Sequence, residues 1–187
     1  MIYICQFVVM AQFDRKIIGE NIKALREASG LSQQDFSHLV EISRRSIANI
    51  EAGNGGNNLD LLDRISTFFN VKIADILKKE INLTLNFREN LLSYHKNNEP
   101  LLILLNKQPN ITYAIKYKLL KSDFLDTPKE VNEIKSFFAQ YGWKYLGTSI
   151  SNALKREQDK IIVTRHELKR NTNIYSKTGK IIPTESQ

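Results

Sequence analysis

Cysteine and histidine are scarce in this chain of 187 residues, which has one cysteine, Cys5, and three histidines. A single cysteine excludes an intramolecular disulfide framework, and the scattered histidines offer no metal-ligand spacing. The glycines within residues 53–56 follow a helical pattern and lack a lysine, so they do not match a phosphate-binding loop. We therefore expect neither a metal nor a cofactor, and a reducing, cytoplasmic setting.

A hydrophobic run long enough for a membrane is absent as well. The apolar run at residues 1–11, MIYICQFVVMA, is too short to span a bilayer, and no basic segment precedes it. We therefore predict neither a membrane span nor a signal peptide. One interpretation, which we favour, takes Met10 as the natural start and residues 1–9 as a misassigned upstream extension. The other makes the run a short strand or tail that packs on the body of the protein or on a second copy.

Charge is distributed unevenly along the chain. Hydrophobic residues make up 42% and charged residues 25% of the sequence, as in a folded globular protein, and the net charge is +7. Residues 1–80 carry 10 basic and 10 acidic side chains, whereas residues 81–187 carry 17 basic and 10 acidic ones. The excess in the second half indicates a polyanionic partner, and the alternative is solubility alone.

Helical periodicity begins at Ile17. A stripe of apolar side chains predicts a first helix that Gly30 ends, and it consists of Ile18, Ile22, Leu25 and Ala28. Ser32 and Asp35 are spaced as a capping box at the start of a second helix. The inner face of that second helix is expected to hold Phe36, Leu39 and Val40.

The third predicted helix, Ser43 to about Glu51, is the most informative about function. Ser43 is its N-cap, Ile42 and Ile47 are spaced as a hydrophobic staple, and Ile47 and Ile50 are expected to point inward. The opposite side of its first two turns holds Arg44, Arg45, Ala48 and Asn49. Arginine and asparagine pair in two-pronged fashion with guanine and adenine in the major groove. The alternative is a solvated helix face with ordinary charges.

Three stretches within residues 18–77 favour the first of these interpretations: IGENIKALREASGLSQQDF, ISRRSIANIEAG and LDLLDRISTFFNVKIADIL. In order and spacing they resemble the XRE family of helix-turn-helix transcriptional regulators, the family of the lambda repressor and Cro. The resemblance implies a five-helix all-α domain whose second helix lies over the DNA backbone and whose third enters the major groove. It also implies a two-fold homodimer on a pseudo-palindromic site, although two reading modules in one chain also allow a monomer.

The resemblance assigns roles to individual positions. Gln33, at the start of the second helix, would bind a phosphate of double-stranded DNA. The residues that would face bases are Arg44, Arg45 and Asn49. Arg26 and Glu51 occupy positions that form a partly buried ion pair in this family, and that pair would tie the first helix to the third. The fourth helix would contribute core and packing residues rather than DNA contacts: Thr67, Phe68 and Phe69.

Two departures from the family pattern affect the DNA-binding surface. The turn between the second and third helices usually carries a glycine, and here it carries Glu41. Glu41 must adopt either a strained positive φ or a different turn, which would slightly re-aim the third helix. The loop at residues 53–58 is neutral where relatives often place lysine or arginine, so the electrostatic attraction of this domain for DNA should be modest.

Periodicity does not decide the structure of residues 81–124. Alternation like that of a strand is seen at Leu83, Leu85 and Phe87, whereas residues 88–96 fit a helix and residues 101–105 form a short apolar run. Residues 111–119 fit either structure. We interpret this region as a connector and a dimerisation or packing surface.

Regular patterns return at Thr127. Thr127 as cap and Pro128 at the first helical position predict a helix, whose apolar stripe is Val131, Ile134, Phe137 and Phe138. Thr148 or Ser149 is expected to cap a second helix, from which Ile150 and Leu154 point inward. Two strand-like runs follow, Ile161–Thr164 and Asn173–Tyr175.

Two helices followed by a β-hairpin with a basic tip resemble a winged helix-turn-helix. Residues 144–180 hold nine basic and three acidic side chains, placed where a recognition helix and a wing would meet phosphates. The candidate DNA contacts of this module are Asn152, Lys155, Arg156, Lys169 and Arg170. The alternative is a small helix–hairpin domain that mediates protein contacts.

The sequence therefore predicts a mainly α-helical protein: a helix-turn-helix domain at residues 10–79, a connector at 80–124 and a winged-helix-like domain at 125–182. We expect a cytoplasmic transcriptional regulator that reads the major groove with the helix at 43–51. The alternative is an antitoxin-like protein that regulates its own promoter and binds a protein partner through residues 81–187.

Enzymatic activity is not expected. Arg88 and His95 are spaced in a way that loosely resembles the arginine–histidine pair of HEPN ribonucleases. Glu89, however, stands where a small polar residue is expected, and one such pair is common by chance. No Ser/His/Asp arrangement surrounds the serines of the helix-turn-helix.

Overall fold

The computed structural model describes residues 14–55 and 58–179. The apolar run at residues 1–11 lies outside the described residues, so both interpretations of it stay predictions. In chain order the helices are α1 (Arg15–Ala28), α2 (Gln33–Leu39), α3 (Arg44–Glu51), α4 (Leu59–Phe69), α5 (Ile73–Ile76), α6 (Phe87–Tyr94), α7 (Glu99–Leu105), α8 (Ile111–Tyr113, continued by a π-helical segment, Ala114–Leu119), α9 (Val131–Ala139) and α10 (Gly147–Leu154). A 3-10 turn spans Phe124–Asp126, and the strands are β1 (Lys129–Glu130), β2 (Ile161–Arg165) and β3 (Asn173–Lys177).

Side-chain caps fix the starts of the first helices. Asp14 accepts a hydrogen bond of 2.8 Å from the Lys16 amide at the start of α1. The Ser32 hydroxyl accepts one of 3.0 Å from the Asp35 amide at the start of α2. A capping box also predicts that the Asp35 carboxylate accepts from the Ser32 amide. The prediction of this second bond is wrong, because the carboxylate accepts from the Ser32 hydroxyl instead.

A first hydrophobic core extends well beyond α5. Its buried members from α1 to α5 include Phe36, Ile47, Ile65 and Phe69. The later segments add Ile81, Leu91, Leu101 and Leu105. Part of the segment left undecided by periodicity is therefore packed against the helix-turn-helix rather than standing apart from it.

The strand-like alternation at residues 83–87 is misleading. Residues 81–86 form no strand, and Phe87 begins α6. The buried side chain of Asn21 satisfies the backbone here instead of a neighbouring strand. Its amide nitrogen donates to the carbonyls of Ile76 and Lys78 at 2.9 and 2.7 Å, and its oxygen accepts from the Ile81 amide at 3.0 Å.

A second core lies within residues 111–175. Its buried members are Ala114, Ile115, Leu119, Leu125, Ile134, Phe137, Phe138, Ile150, Ala153, Leu154, Ile161 and Tyr175. The three strands form an antiparallel sheet in the order β1-β3-β2, with Val163 opposite Tyr175 and Lys129 opposite Tyr175 on its other side. The prediction of a mainly helical protein is thereby confirmed, and the strands add a small sheet in the C-terminal part.

The predicted starts of α9 and α10 are wrong. Thr127 and Pro128 precede a helix that begins only at Val131, because the intervening residues pair with β3 as β1. Glu130 caps α9 in a box with Glu133. Neither Thr148 nor Ser149 caps α10, which has Leu146 at its N-cap position and no side-chain cap.

Gly30 is packed tightly at the end of α1. Its φ is +75°, in the left-handed region, and a Cβ built on it would lie 2.7 Å from the Pro109 side chain and also meet the Arg88 guanidinium. Gly142 has a similar φ of +74°, but nothing lies within 4 Å of its built Cβ. A side chain at either glycine would strain the backbone, but only a side chain at Gly30 would also collide with its neighbours.

We expect Gly30→Ala to destabilise the protein by about 2–4 kcal/mol, because it adds overpacking to left-handed strain. Gly142→Ala should cost only about 1 kcal/mol, since it adds strain alone. Urea denaturation of the two variants measures the difference. Equal midpoints for the two variants would contradict the close packing of Gly30 against Arg88 and Pro109.

Candidate nucleic-acid interface

One face of α3 is anchored in the core and the other is open to solvent. Ile47 and Ile50 on the inner face are 0% and 2% exposed. Arg44, Arg45 and Asn49 are exposed on the opposite side, and Ala48 is half-buried beside them. The structure therefore brings all four predicted residues onto one helix, with three of them accessible to a ligand.

The turn before α3 adopts the first of the two predicted conformations. Glu41 has a φ of +53°, and the Ile42 amide donates to the Ser37 carbonyl at 3.0 Å, which closes a Schellman-type end to α2. Arg64 on α4 donates to the Glu41 carbonyl at 3.3 Å. The turn accommodates glutamate in place of glycine, at the cost of the strain that a left-handed conformation imposes on a residue with a Cβ.

A buried ion pair holds the far end of α3. Arg26 Nε and Nη2 donate to Glu51 Oε1 and Oε2 at 2.5 and 2.9 Å, and Arg26 Nη1 donates to the Leu31 carbonyl at 2.9 Å. Arg26 and Glu51 are 7% and 8% exposed. The structure thus forms the ion pair between the first and third helices that the resemblance implied.

Gln33 belongs to the same network. Its side-chain nitrogen donates to Glu51 Oε2 at 2.9 Å, and the residue is half-buried. Sequence reasoning missed this contact, which orients the amide of Gln33 at the start of α2. Phosphate binding by Gln33 stays a prediction.

The fourth helix departs from its expected role at one position. Phe68 and Phe69 are buried, and both rings pack near Phe36, at centroid distances of 5.8 and 5.1 Å. Thr67 is exposed, however, so its assignment to the core is wrong. Helical geometry explains the difference, because Thr67 lies on the face opposite Ile65 and Phe69.

The described part of the loop after α3 turns its backbone donors inward. The amides of Asn54 and Gly55 both donate to the Asn49 carbonyl, at 2.9 and 3.1 Å. Asn58 caps α4 by accepting from the Leu61 amide at 2.8 Å. These bonds support the helices on either side of the loop, and the two backbone amides are not available as donors to a phosphate.

The candidate contacts of the second module lie on two exposed segments. Asn152 on α10 and the residues just after it, Lys155 and Arg156, are exposed. Lys169 and Arg170 are exposed in the turn between β2 and β3. Within the described residues no ion pair engages Lys155, Arg156 or Arg170.

Lys169 differs from its neighbours because it already has an anionic partner. Its ammonium group contacts the Glu130 carboxylate, and His166 lies 3.4 Å from the same carboxylate. The hydrogen bond from Lys169 lowers the pKa of Glu130, with smaller Coulombic contributions from Lys169 and His166. A phosphate would compete with Glu130 for Lys169, whereas Arg170 has no such competitor among the described residues.

Arg88 and His95 each bind backbone carbonyls, and the carbonyls that they bind belong to different parts of the chain. The Arg88 guanidinium donates to Ser29, Leu105 and Lys107, and it lies 5.4 Å from the centroid of the Tyr113 ring. His95 Nε2 lies 2.8 Å from the Phe68 carbonyl and its ring stacks on Phe68. These contacts are structural and do not assemble the two side chains around a common site.

The described residues contain no cluster of three or more histidine, cysteine or acidic side chains that is arranged to hold a metal ion. Among the same residues, no helix has the length and apolar character needed to cross a membrane.

Comparison with known proteins bears directly on the N-terminal module. The helix-turn-helix family HTH_3 matches residues 22–76, which span α3 and the helices around it. The chain contains an XRE-type helix-turn-helix domain. The prediction of this domain from its three sequence stretches is confirmed.

Curated relatives match the same part of the chain. The antitoxin PezA of Streptococcus pneumoniae is 39% identical over 64 residues, which are 34% of this chain and 40% of that protein. The HTH-type transcriptional activator BcrR of Enterococcus faecalis is 35% identical over 71 residues, or 38% of this chain and 35% of that protein. A putative HTH-type transcriptional regulatory protein of Thermococcus kodakarensis is 32% identical over 76 residues, covering 39% of this chain and 24% of that protein.

The chain therefore spans less than half the length of these relatives. No solved structure matches the chain significantly.

We expect Glu51→Gln to destabilise the protein by about 3 kcal/mol or more, because it leaves the buried Arg26 guanidinium without an anionic partner. Asp75→Asn is the matched control, since Asp75 pairs with Lys78 on the surface and should change stability little. Urea denaturation compares the two. A Glu51→Gln midpoint equal to that of the wild type would show that the ion pair does not hold α3.

Proposed function

We propose that this protein is a sequence-specific DNA-binding transcriptional regulator, which would act in the cytoplasm. The observation that carries the proposal is the exposure of Arg44, Arg45 and Asn49 on a helix that the core and the Arg26–Glu51 pair hold in place. Arginine binds guanine and asparagine binds adenine through paired hydrogen bonds, which require side chains on a fixed support. The HTH_3 match and the relatives named as transcriptional regulators support this assignment.

We further propose that the C-terminal module is a winged helix and that it also contacts DNA. Support comes from the element order α8, β1, α9, α10, β2, β3 and from the sheet order β1-β3-β2. In this arrangement α10 is the recognition helix and the β2–β3 turn is the wing. The exposed cations that would meet phosphates are Lys155, Arg156, Lys169 and Arg170.

The domain division that goes with this proposal keeps residues 10–79 as the first DNA-binding domain and 125–182 as the second. Residues 80–106 pack on the first core through Leu91, and α8 with its π-helical continuation packs on the second core through Ile115 and Leu119. We therefore assign residues 80–106 to the first module and α8 to the second. A homodimer and a single-chain arrangement both remain compatible with this division.

A second candidate function is that of an antitoxin-like protein whose C-terminal part binds a protein. The specific observation that favours it is apolar exposure around the edge strand β2. Ile162 and Val163 are 42% and 37% exposed, and Leu168 in the following turn is 91% exposed. The similarity to an antitoxin within the helix-turn-helix segment is compatible with this candidate.

Binding to DNA from the protein's own upstream region, measured at two salt concentrations, tests the proposal. Arg44→Ala/Asn49→Ala should lose sequence preference, because each two-pronged base contact contributes about 1–3 kcal/mol of discrimination. Lys169→Ala/Arg170→Ala should weaken binding to all DNA alike and reduce the salt slope by about 1–2, because each phosphate contact releases a counterion.

Lys79→Ala/Lys96→Ala is the charge-matched control, since both lysines are exposed and lie outside the proposed surface. It should bind as the wild type does. If the wild type binds all DNA equally, the proposed function is wrong. If Lys169→Ala/Arg170→Ala binds as the wild type does while Arg44→Ala/Asn49→Ala loses sequence preference, the C-terminal module does not contact DNA through its wing, and the protein-binding candidate replaces that part of the proposal.

A further inference from the structure

A four-residue segment, 107–110, contacts both modules. Its contacts, together with those of Arg88 and Lys116, are called the seam below. On the side of the first module, the Asn110 amide donates to the Gly30 carbonyl at 2.8 Å, and Asn110 Nδ2 donates to the Leu31 carbonyl at 2.5 Å. Asn110 Oδ1 also accepts from the Tyr113 amide at 2.9 Å and so caps α8. One side chain therefore joins the turn before α2 to the first helix of the second module.

The same segment also binds the turn that leads into α10. Gln108 forms two hydrogen bonds with the Lys144 backbone: its oxygen accepts from the amide at 2.7 Å and its nitrogen donates to the carbonyl at 3.0 Å. The Tyr145 hydroxyl donates to the Pro109 carbonyl at 2.7 Å. The entries to α2 and α10 are thus attached to neighbouring residues of one short segment.

Charged groups close the seam on either side of this segment. Lys116 lies 2.9 Å from Glu27 on α1 and 3.4 Å from Glu157 just after α10. Burial lowers the pKa of Lys116, but the two carboxylates together outweigh it and raise the pKa, so the ammonium stays charged. Arg88 adds hydrogen bonds from α6 to Ser29 at the end of α1 and to Lys107 in the segment.

These contacts limit how far apart the two candidate reading helices can lie. α10 packs on α8, α8 packs on α1, and α1 packs on α3. Neighbouring packed helices are separated by about 8–10 Å, so three such steps keep α10 within roughly 30 Å of α3. Successive major grooves on one face of a duplex are about 34–36 Å apart, and the separation of the two helices does not exceed that spacing.

We propose that a single chain binds a bipartite, asymmetric DNA site whose two segments have one fixed spacing, because the seam holds α3 and α10 in one arrangement. The inference rests on the proposed function and adds the geometry of the DNA partner to it. A flexible linker between modules would accept several spacings, whereas a linker of four residues that is hydrogen-bonded at both ends accepts one.

The test uses the full chain and a duplex that the wild type selects from a random 40-bp library. Footprinting should show two protected segments, one lost in Arg44→Ala/Asn49→Ala and the other lost in Lys155→Ala/Arg156→Ala. Lys79→Ala/Lys96→Ala should keep both. Insertion of 5 or of 10 bp between the segments should reduce affinity about 100-fold or more, to that of one module alone.

The outcomes separate this inference from the function on which it rests. If no sequence is enriched from the library, the proposed function fails and the inference fails with it. If a sequence is enriched but affinity for either inserted duplex stays within about threefold of the selected one, the function stands and the fixed spacing is wrong. A single protected segment that only Arg44→Ala/Asn49→Ala abolishes would likewise overturn the inference alone.

Discussion

The orientation of α3 depends on the buried guanidinium of Arg26. The inner face of α3 consists of two isoleucines, and hydrophobic packing is non-directional, so it tolerates small rotations of a short helix. The two parallel hydrogen bonds between Arg26 and Glu51 do not tolerate such rotations, because a guanidinium and a carboxylate pair in one plane. A buried ion pair adds little net stability, since desolvation offsets most of the attraction, yet loss of one partner is costly. We therefore regard this pair as the device that aims the exposed arginines of α3.

The end of α1 carries the same constraint into the second module. A helix leaves its last carbonyls without intrahelical partners and has a partial negative charge at that end. Here Arg88 binds the Ser29 carbonyl, Asn110 binds those of Gly30 and Leu31, and Arg26 shares the carbonyl of Leu31. The carbonyl of the C-cap residue Ser29 and those of the turn after it are thus used to attach the rest of the chain. The turn before α2 therefore also positions α8 and α10, while Gln33 at the start of α2 contacts Glu51 on α3.

Local patterns predicted the first module well and the junction poorly, for physical reasons. The faces of α1 to α3 follow from spacings of a few residues, which periodicity and capping rules describe. The ion pair of Arg26 with Glu51 and the left-handed option at Glu41 were implied by the family resemblance instead. Thr127 and Pro128 misled because a tertiary contact, the pairing of β1 with β3, overrides a good capping sequence. Most contacts of the seam join residues far apart in the sequence, such as Gln108 with Lys144 at 36 positions and Lys116 with Glu27 at 89. No short-range pattern encodes such pairs.

In the proposed function, the two modules divide the physical tasks of binding DNA. Residues 1–80 have no net charge, so their contribution is directional hydrogen bonding, which requires the fixed geometry described above. Many lysines of the second module are neutralised within the protein, by Glu89, Glu133, Glu157, Glu130 and Asp126. Long-range attraction would therefore come from the cations that no described carboxylate engages, Lys155, Arg156 and Arg170 among them. Salt screens the attraction to phosphates and affects base recognition much less. In the proposed function, the fixed junction would let a weakly charged first module stay on DNA without acquiring a strong affinity for every sequence.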